Sequence, residues 1–274
     1  MNWRMKNNDE ITMRTSGGVG TRRPTKATVT MYDCGRAGRS PLPLVEMNET
    51  LDNGGRVTLL IRHAERPALD PADRTFGASL PLTERGWCTA RQFGGMLAYT
   101  LRPHSVAFYA SNTFRTVQTA CGMAIGLDEP DKNAAIERKV RLSESLGSES
   151  PFFGSADERW ALVAEGCGHD RMNDYFRCGQ MRGYRPLHQA ADEIELALND
   201  MHAGGDRLVV AVTHDINVAA FLAARGVVDS FSDETWPGYL DAAVVVRRPD
   251  GCTEYGVLRW HKELEGLYLL PWEV

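Results

Sequence analysis

With 274 residues the chain can bury a large core as one domain, or as one domain carrying an insertion. Its composition is that of an ordinary globular protein, and a formal charge of −5 argues against a nucleic-acid partner, which would call for a basic excess. No run of about 18 apolar residues suggests a membrane span, and residues 1–10 lack the apolar centre of a signal peptide, so a cytoplasmic protein is expected.

Residues 1 to about 50 differ from the rest. The segment 16–24, Ser-Gly-Gly-Val-Gly-Thr-Arg-Arg-Pro, has no apolar period. Up to residue 40 there are eight Lys/Arg against three Asp/Glu, about +5, which leaves about −10 for the remainder. This stretch reads as a flexible, solvated extension, with an alternating edge-strand pattern at 27–32. Six cysteines are scattered along the chain (Cys34, Cys88, Cys121, Cys167, Cys178, Cys252) without a C-x-x-C pair. Free thiols are expected rather than a zinc knuckle.

Residues 51–274 read as the folded domain. The first strand spans 56–61, Arg-Val-Thr-Leu-Leu-Ile, and runs straight into Arg62, His63, Ala64, Glu65 and Arg66. A loop punctuated by Pro67, Pro71, Gly77 and Pro81 follows. Thr83 is placed to cap a helix with Glu84 in its first turn. Trp87, Ala90, Phe93, Leu97 and Leu101 give that helix an apolar stripe, and Pro103 ends it.

Residues 105–110 form the second strand, followed by Ser111, Asn112 and Thr113 and a helix with Arg115 near its start. A third strand over 135–142 leads to Glu144. Residues 148–185 mix aromatics with Gly, Asp and Arg and read as a partly helical insertion over the site. An amphipathic helix spans 187–201 and stops at Gly204-Gly205. The buried strand 208–213 carries His214 and Asp215 at its end, and 216–224 begin another helix. Two late strands, 242–247 and 255–260, are joined by a turn at Pro249-Asp250-Gly251. Alternating strands and helices imply βαβ units. The fold expected is an α/β three-layer sandwich, a mainly parallel sheet with helices on both faces.

Polar groups gather at the carboxyl ends of three expected strands: Arg62, His63 and Arg66; Ser111 and Arg115; His214 and Asp215. Open α/β sheets bind ligands there. Three guanidinium forks and two imidazoles suit a phosphate dianion, and helix N-termini near Ser111 and His214 would add amide donors. In such a pocket a neutral imidazole can attack phosphorus. The arginines and the second histidine would stabilise the transferring phosphoryl group, and a carboxylic acid must protonate the departing alkoxide. Asp215 is placed for that task; Glu144 and Glu65 are the other candidates.

Arg62-His63-Ala64-Glu65-Arg66 resembles the R-H-G-x-R signature of the histidine phosphatase (phosphoglycerate mutase-like) superfamily, with Ala64 in the glycine's place. Leu82-Thr83-Glu84-Arg85-Gly86 resembles its L-T-x-x-G, and the segment from Ser111 through Arg115, Thr116, Gln118 and Thr119 to Ala120 its S-x-x-x-R-T-x-Q-T-A. Thr213-His214-Asp215-Ile216-Asn217 is similar to the H-D-x-N of the acid phosphatase branch. The resemblance covers roughly residues 56–260, in order.

It implies His63 as the phosphorylated nucleophile and Arg62, Arg66, Arg115 and His214 as the phosphate pocket. It implies Asp215 as proton donor, while Glu144 sits where the mutase-like branch places its acid, so the donor stays open between them. The implied activity is hydrolysis of a small phosphorylated metabolite, a phosphomonoester, through phosphohistidine, with no metal and no cofactor. A phosphomutase or phosphotransferase of the same superfamily, and a non-catalytic phospholigand-binding module, are the alternatives. A metallohydrolase on His63, Glu65, His214 and Asp215 is disfavoured, because three nearby arginines make a poor dication site. Substrate identity and oligomeric state do not follow from the sequence. His169, His188, His202 and His261 belong to no motif and are expected at the surface.

Overall fold

The structure is a computed structural model and describes residues 4–5, 10–13, 31–32, 44–70, 72–73, 75, 77–100, 105–128, 138–147, 151–155, 157–158, 161–162 and 169–260. The strands are β1 (Arg4–Met5), β2 (Glu10–Met13), β3 (Met31–Tyr32), β4 (Arg56–Arg62), β5 (Val106–Ala110), β6 (Arg138–Leu142), β7 (Leu208–Thr213), β8 (Ala242–Arg247) and β9 (Thr253–Leu258). The α-helices are α1 (Leu44–Asp52), α2 (Glu84–Thr100), α3 (Phe114–Asp128), α4 (His169–Cys178), α5 (Leu187–Asp200) and α6 (Asp215–Ala224), with one 3-10 turn at Glu144–Leu146.

The strands join one mixed sheet in the order β1-β2-β6-β5-β7-β4-β8-β9-β3. Its centre, β6-β5-β7-β4, is parallel, while β8 runs antiparallel to β4 and β9 to β8. Central strands covered on both faces need apolar residues at every position, which β7 supplies, buried throughout. In β4, Val57, Leu59 and Ile61 face one core with α2 and α3, whereas Leu60 faces the other with α5 and α6. This is the three-layer α/β sandwich expected. The helices α2 and α3 approach backbone to backbone: a Cβ on Gly94 would lie 2.0 Å from the Met123 carbonyl oxygen.

Several boundaries differ from the sequence reading. The boundary expected at residue 50 falls inside α1, whose Met47 and Leu51, one turn apart, are buried in the first core. Within the expected extension, β1 and β2 add to one sheet edge and β3 to the other; the segment 16–24 lies outside the described residues. The strand expected from 135 begins at Arg138, with 135–137 outside the described residues. The strand β9 starts two residues earlier than expected, directly after the Gly251 turn (φ +87°).

Residues 148–185 do contain a helix, α4, and their aromatics serve packing. Phe152, Phe153, Tyr175, Phe176 and Tyr184 are buried in the second core, and Tyr175 stacks on Tyr184 at 4.5 Å. No hydrogen bond, ion pair or ring contact joins a described residue of this segment to Arg62, His63 or Asp215. The segment is tied instead to the connection that leads to residues 237–241. Asn173 clasps Phe231 through both its amide and carbonyl at 2.8 Å, and His169 contacts Asp233 at 2.6 Å and the Trp236 ring at 4.9 Å.

His188 is exposed, as expected. His202 is not a surface residue: it is fully buried, its ring nitrogens bonded to Thr58 Oγ1 (2.8 Å) and the Asp206 carbonyl (2.7 Å). Burial lowers its pKa below the ordinary histidine value, and nearby Arg56 and Arg247 act the same way. The folded state therefore binds this proton less readily than the unfolded chain, so the stabilisation is complete above about pH 6.5 and is lost as pH falls below it. The shift of the urea midpoint between pH 7.5 and 5.5 should be smaller in His202→Gln than in the wild type; an equal shift would contradict this account. No helix of the described residues is long and apolar enough to cross a membrane.

Candidate active site

Strand register brings the distant motifs to one level. Arg62 pairs with Thr213 across β4 and β7, and Ala110 with Val212 across β5 and β7. The ladder continues one step past the strands: His63 N donates to the Thr213 carbonyl (3.0 Å) and Ser111 N to the Val212 carbonyl (3.1 Å). So His63, Ser111 and His214 leave the sheet side by side at its carboxyl edge. The helix α3 starts three residues after Ser111, and His214 is the N-cap of α6 (φ −118°, ψ 160°).

Arg115, in the first turn of α3 and only 4 % exposed, lies at the centre. Its Nε donates to His63 Nε2 (3.1 Å), its Nη2 to His214 Nδ1 (3.3 Å) and its Nη1 to the Gly77 carbonyl (2.5 Å). The two imidazoles meet edge to face with centroids 5.5 Å apart. Hydrogen-bond partners assign both tautomers. A carbonyl only accepts, so His63 Nδ1, 2.8 Å from the Ala64 oxygen, carries the proton, and Nε2 is a lone pair that accepts from Arg115. By the same logic His214 accepts at Nδ1 and donates from Nε2 to Ser111 Oγ (3.1 Å). Burial, then the charge of Arg115 and of Arg62, outweigh the Ala64 bond and Asp215 and bring the His63 pKa down to about 3. His63 is a neutral imidazole whose Nε2 lone pair faces Arg115.

Arg62 is held on three sides. Nη1 donates to the Pro237 carbonyl (2.6 Å), Nη2 pairs with Asp215 Oδ2 (3.2 Å), and the guanidinium carbon lies 4.5 Å over the Tyr239 ring. Loss of water works to raise the Asp215 carboxyl. With 36 % of the side chain exposed that loss is partial, and Arg62, His63, His214 and the Ile216 amide bring it down to about 2. Asp215 is a carboxylate at neutral pH in the free protein.

A hydroxyl network supports these groups. Ser111 Oγ joins Thr113 and Thr116 at 3.2 and 2.8 Å. Thr119 accepts from the Ala64 amide (3.0 Å) and donates to the Arg115 carbonyl (2.8 Å), tying the loop after β4 to α3. Gln118 Oε1 accepts from Leu82 N (2.7 Å). Thr83 caps α2 through Gly86 N (2.9 Å) while donating to Glu65 Oε1 (2.7 Å). Sequence reasoning missed Thr113, Gln118 and Tyr239 as site supports. The first two did leave a signal: both lie within the quoted segment from Ser111 to Ala120.

Gly86 seats α2 on this loop. A Cβ there would lie 2.1 Å from the Glu65 carbonyl oxygen, a backbone atom that cannot step aside. Gly86→Ala is therefore expected to cost about 1–3 kcal/mol, read as a lowered urea midpoint at unchanged m-value. An unchanged midpoint would show that α2 docks otherwise.

The structure thus brings Arg62, His63, Arg115, His214 and Asp215 together. It does not tie Arg66 or Glu144 to them. Arg66 is half-buried and folds back on its own neighbour, Nη1 donating to the Pro67 carbonyl (2.7 Å). Glu144 opens the 3-10 turn and is exposed, with no hydrogen bond or ion pair to His63 or His214. That turn does abut the site: Thr213 Oγ1 donates to the Leu146 carbonyl (2.7 Å) and Asn217 to the Gly147 carbonyl (3.0 Å). Glu65 is committed to Thr83 and Arg85. Among the described residues no group of three His, Cys, Asp or Glu is spaced to hold a metal ion.

No protein-family model matches the sequence, and no curated protein matches it. Solved structures do. The chain is similar to mycobacterial hydrolase 2 (16% identity, 80% of this chain and 99% of that one, TM-score 0.48). It is similar to the phosphoglycerate mutase of Bacillus anthracis str. Sterne (15% identity, 74% and 92%, TM-score 0.44) and to the protein histidine phosphatase SixA complexed with tungstate (15% identity, 74% and 94%, TM-score 0.40). The last two names belong to the superfamily that the motifs resemble. At these identities and TM-scores the likeness assigns neither a substrate nor a residue's role.

Proposed function

We propose that this chain is a metal-independent phosphomonoester hydrolase of the histidine phosphatase superfamily, working through a phosphohistidine on small phosphorylated metabolites. One observation carries the reading: the neutral His63 Nε2 lone pair lies within hydrogen-bond reach of Arg115, which also reaches His214. Those are a nucleophile and an oxyanion donor at one point, with His214 holding the donor in place.

In the free protein the Arg115 N–H caps the lone pair of His63. A phosphate oxygen is a better acceptor than an imidazole nitrogen, so a bound ester draws this donor to itself and frees Nε2. Nε2 then forms its bond to phosphorus as the ester P–O bond breaks. Arg115 holds the charge on the equatorial oxygens, and His214 orients it. The leaving alkoxide needs a proton, and Asp215 begins as a carboxylate. A dianion beside it adds like charge and competes for Arg62; both effects raise its pKa, so Asp215 takes a proton from solvent as the substrate binds. In the second half, Asp215 takes a proton from water as water attacks phosphorus, and the N–P bond returns its electron pair to His63.

The test is direct. Acid-free quenching during turnover of p-nitrophenyl phosphate in EDTA should trap one phosphoryl group on His63, located by mass spectrometry. Turnover without any such label, or turnover lost to EDTA, would overturn the reading.

A further inference from the structure

The turn 237–241 is fastened to the end of β4 more firmly than a connection requires. Leu240 N donates to the Arg62 carbonyl (3.2 Å), Arg62 N to the Asp241 carbonyl (2.9 Å), and Arg62 Nη1 to the Pro237 carbonyl (2.6 Å). Asp241, buried, accepts from Gly238 N (2.7 Å), Trp260 N (2.7 Å) and Arg259 (2.8 Å). Within this frame Leu240 takes φ +64°, the only non-glycine positive φ among the described residues. A leucine has no polar side chain to ease that conformation. Such strain persists where the surroundings over-determine it, and it clusters at functional sites.

What the strained turn achieves is the placement of two neighbours. Leu240 is buried in the core, while Tyr239 is half-buried, its ring against the Arg62 guanidinium and 5.8 Å from the His63 ring. On this side the charge of Arg62 is already met by Asp215 and Pro237. The side chain next to Arg62 on this side is an aromatic ring rather than a second cation.

We infer that Tyr239 is a specificity-determining residue, the wall against which the alcohol part of the ester packs, and that the preferred substrates are phosphomonoesters of aromatic or other flat-ringed alcohols. This rests on the phosphomonoesterase reading above. An aromatic ring in an offset or edge-on arrangement gains from Tyr239 beyond its buried area, whereas an alcohol bearing a second anionic group finds no counter-charge at that wall.

The test separates the wall from the chemistry by using ligands that cannot turn over. Binding of phenylphosphonate and of methylphosphonate is measured by calorimetry in wild type and in Tyr239→Phe, Tyr239→Leu and Tyr239→Met. Wild type and Tyr239→Phe should prefer the phenyl ligand by about threefold to tenfold. Both ringless variants should bring the preference close to one, and Tyr239→Met stands in should the leucine variant misfold. A preference unchanged in the ringless variants, or absent from wild type, overturns the inference. So does an equal loss for both ligands, which would mean that the ring only holds Arg62. Failure of wild type to hydrolyse any ester would sink the phosphomonoesterase reading instead, with the binding ratio still measurable.

Discussion

Replacing His63 by alanine is expected to lower the turnover of p-nitrophenyl phosphate by on the order of 10⁴ to 10⁶, because it removes the lone pair proposed to attack phosphorus. His214 stays in place in this variant, its Nδ1 accepting from Arg115 and its Nε2 donating to Ser111. The loss should fall on kcat, since Arg115 remains to bind the phosphate. The same variant should be less acid-sensitive than wild type. With its pKa near 3 when folded, His63 contributes stability that is complete above about pH 6.5 and is lost as pH falls towards 3. Phosphate release and urea midpoints at pH 7 and 5 check both effects. Turnover within tenfold of wild type would dismiss His63 as the nucleophile.

The parts of this site that were legible in the sequence are those set by strand ends. A run of β-branched and apolar residues stops where the chain leaves the sheet, so Arg62-His63 and His214-Asp215 could be placed before any contact was known. Parallel pairing of β4, β5 and β7 then has to bring those ends together. Side-chain direction was not legible. Arg66 sits four residues past the strand, where the chain is free to turn, and Pro67 supplies a carbonyl that takes its guanidinium. Tyr239 lies in a connection with no periodicity, and its place depends on a left-handed leucine that no propensity would suggest. His202 misled for a related reason: a histidine near a helix end is usually wet, and burial is acceptable here because Thr58 on β4 and the Asp206 carbonyl satisfy both ring nitrogens. The helix α1 was hidden because its short stripe follows a long polar stretch.

The proton donor should be decided by leaving-group dependence. Asp215→Asn keeps an oxygen for the Ile216 amide and for Arg62 but can neither carry nor release the proton. For an alkyl phosphate, whose alkoxide is a poor leaving group, the variant is expected to lose about 10² to 10⁴ in kcat. For p-nitrophenyl phosphate, whose phenolate leaves unaided, the same change should cost less than about tenfold in the first phosphoryl transfer. Glu144→Gln should move neither by more than about threefold, because an exposed side chain on the 3-10 turn has no bond to the reacting groups. Binding supplies an internal control. Removing the charge of Asp215 releases Arg62 from its ion pair and removes a repulsion at the phosphate, so KM should stay level or fall for both esters while kcat diverges. A KM that rises in parallel for both would make Asp215 a prop for Arg62, and a leaving-group effect confined to Glu144→Gln would move the acid to the other strand end.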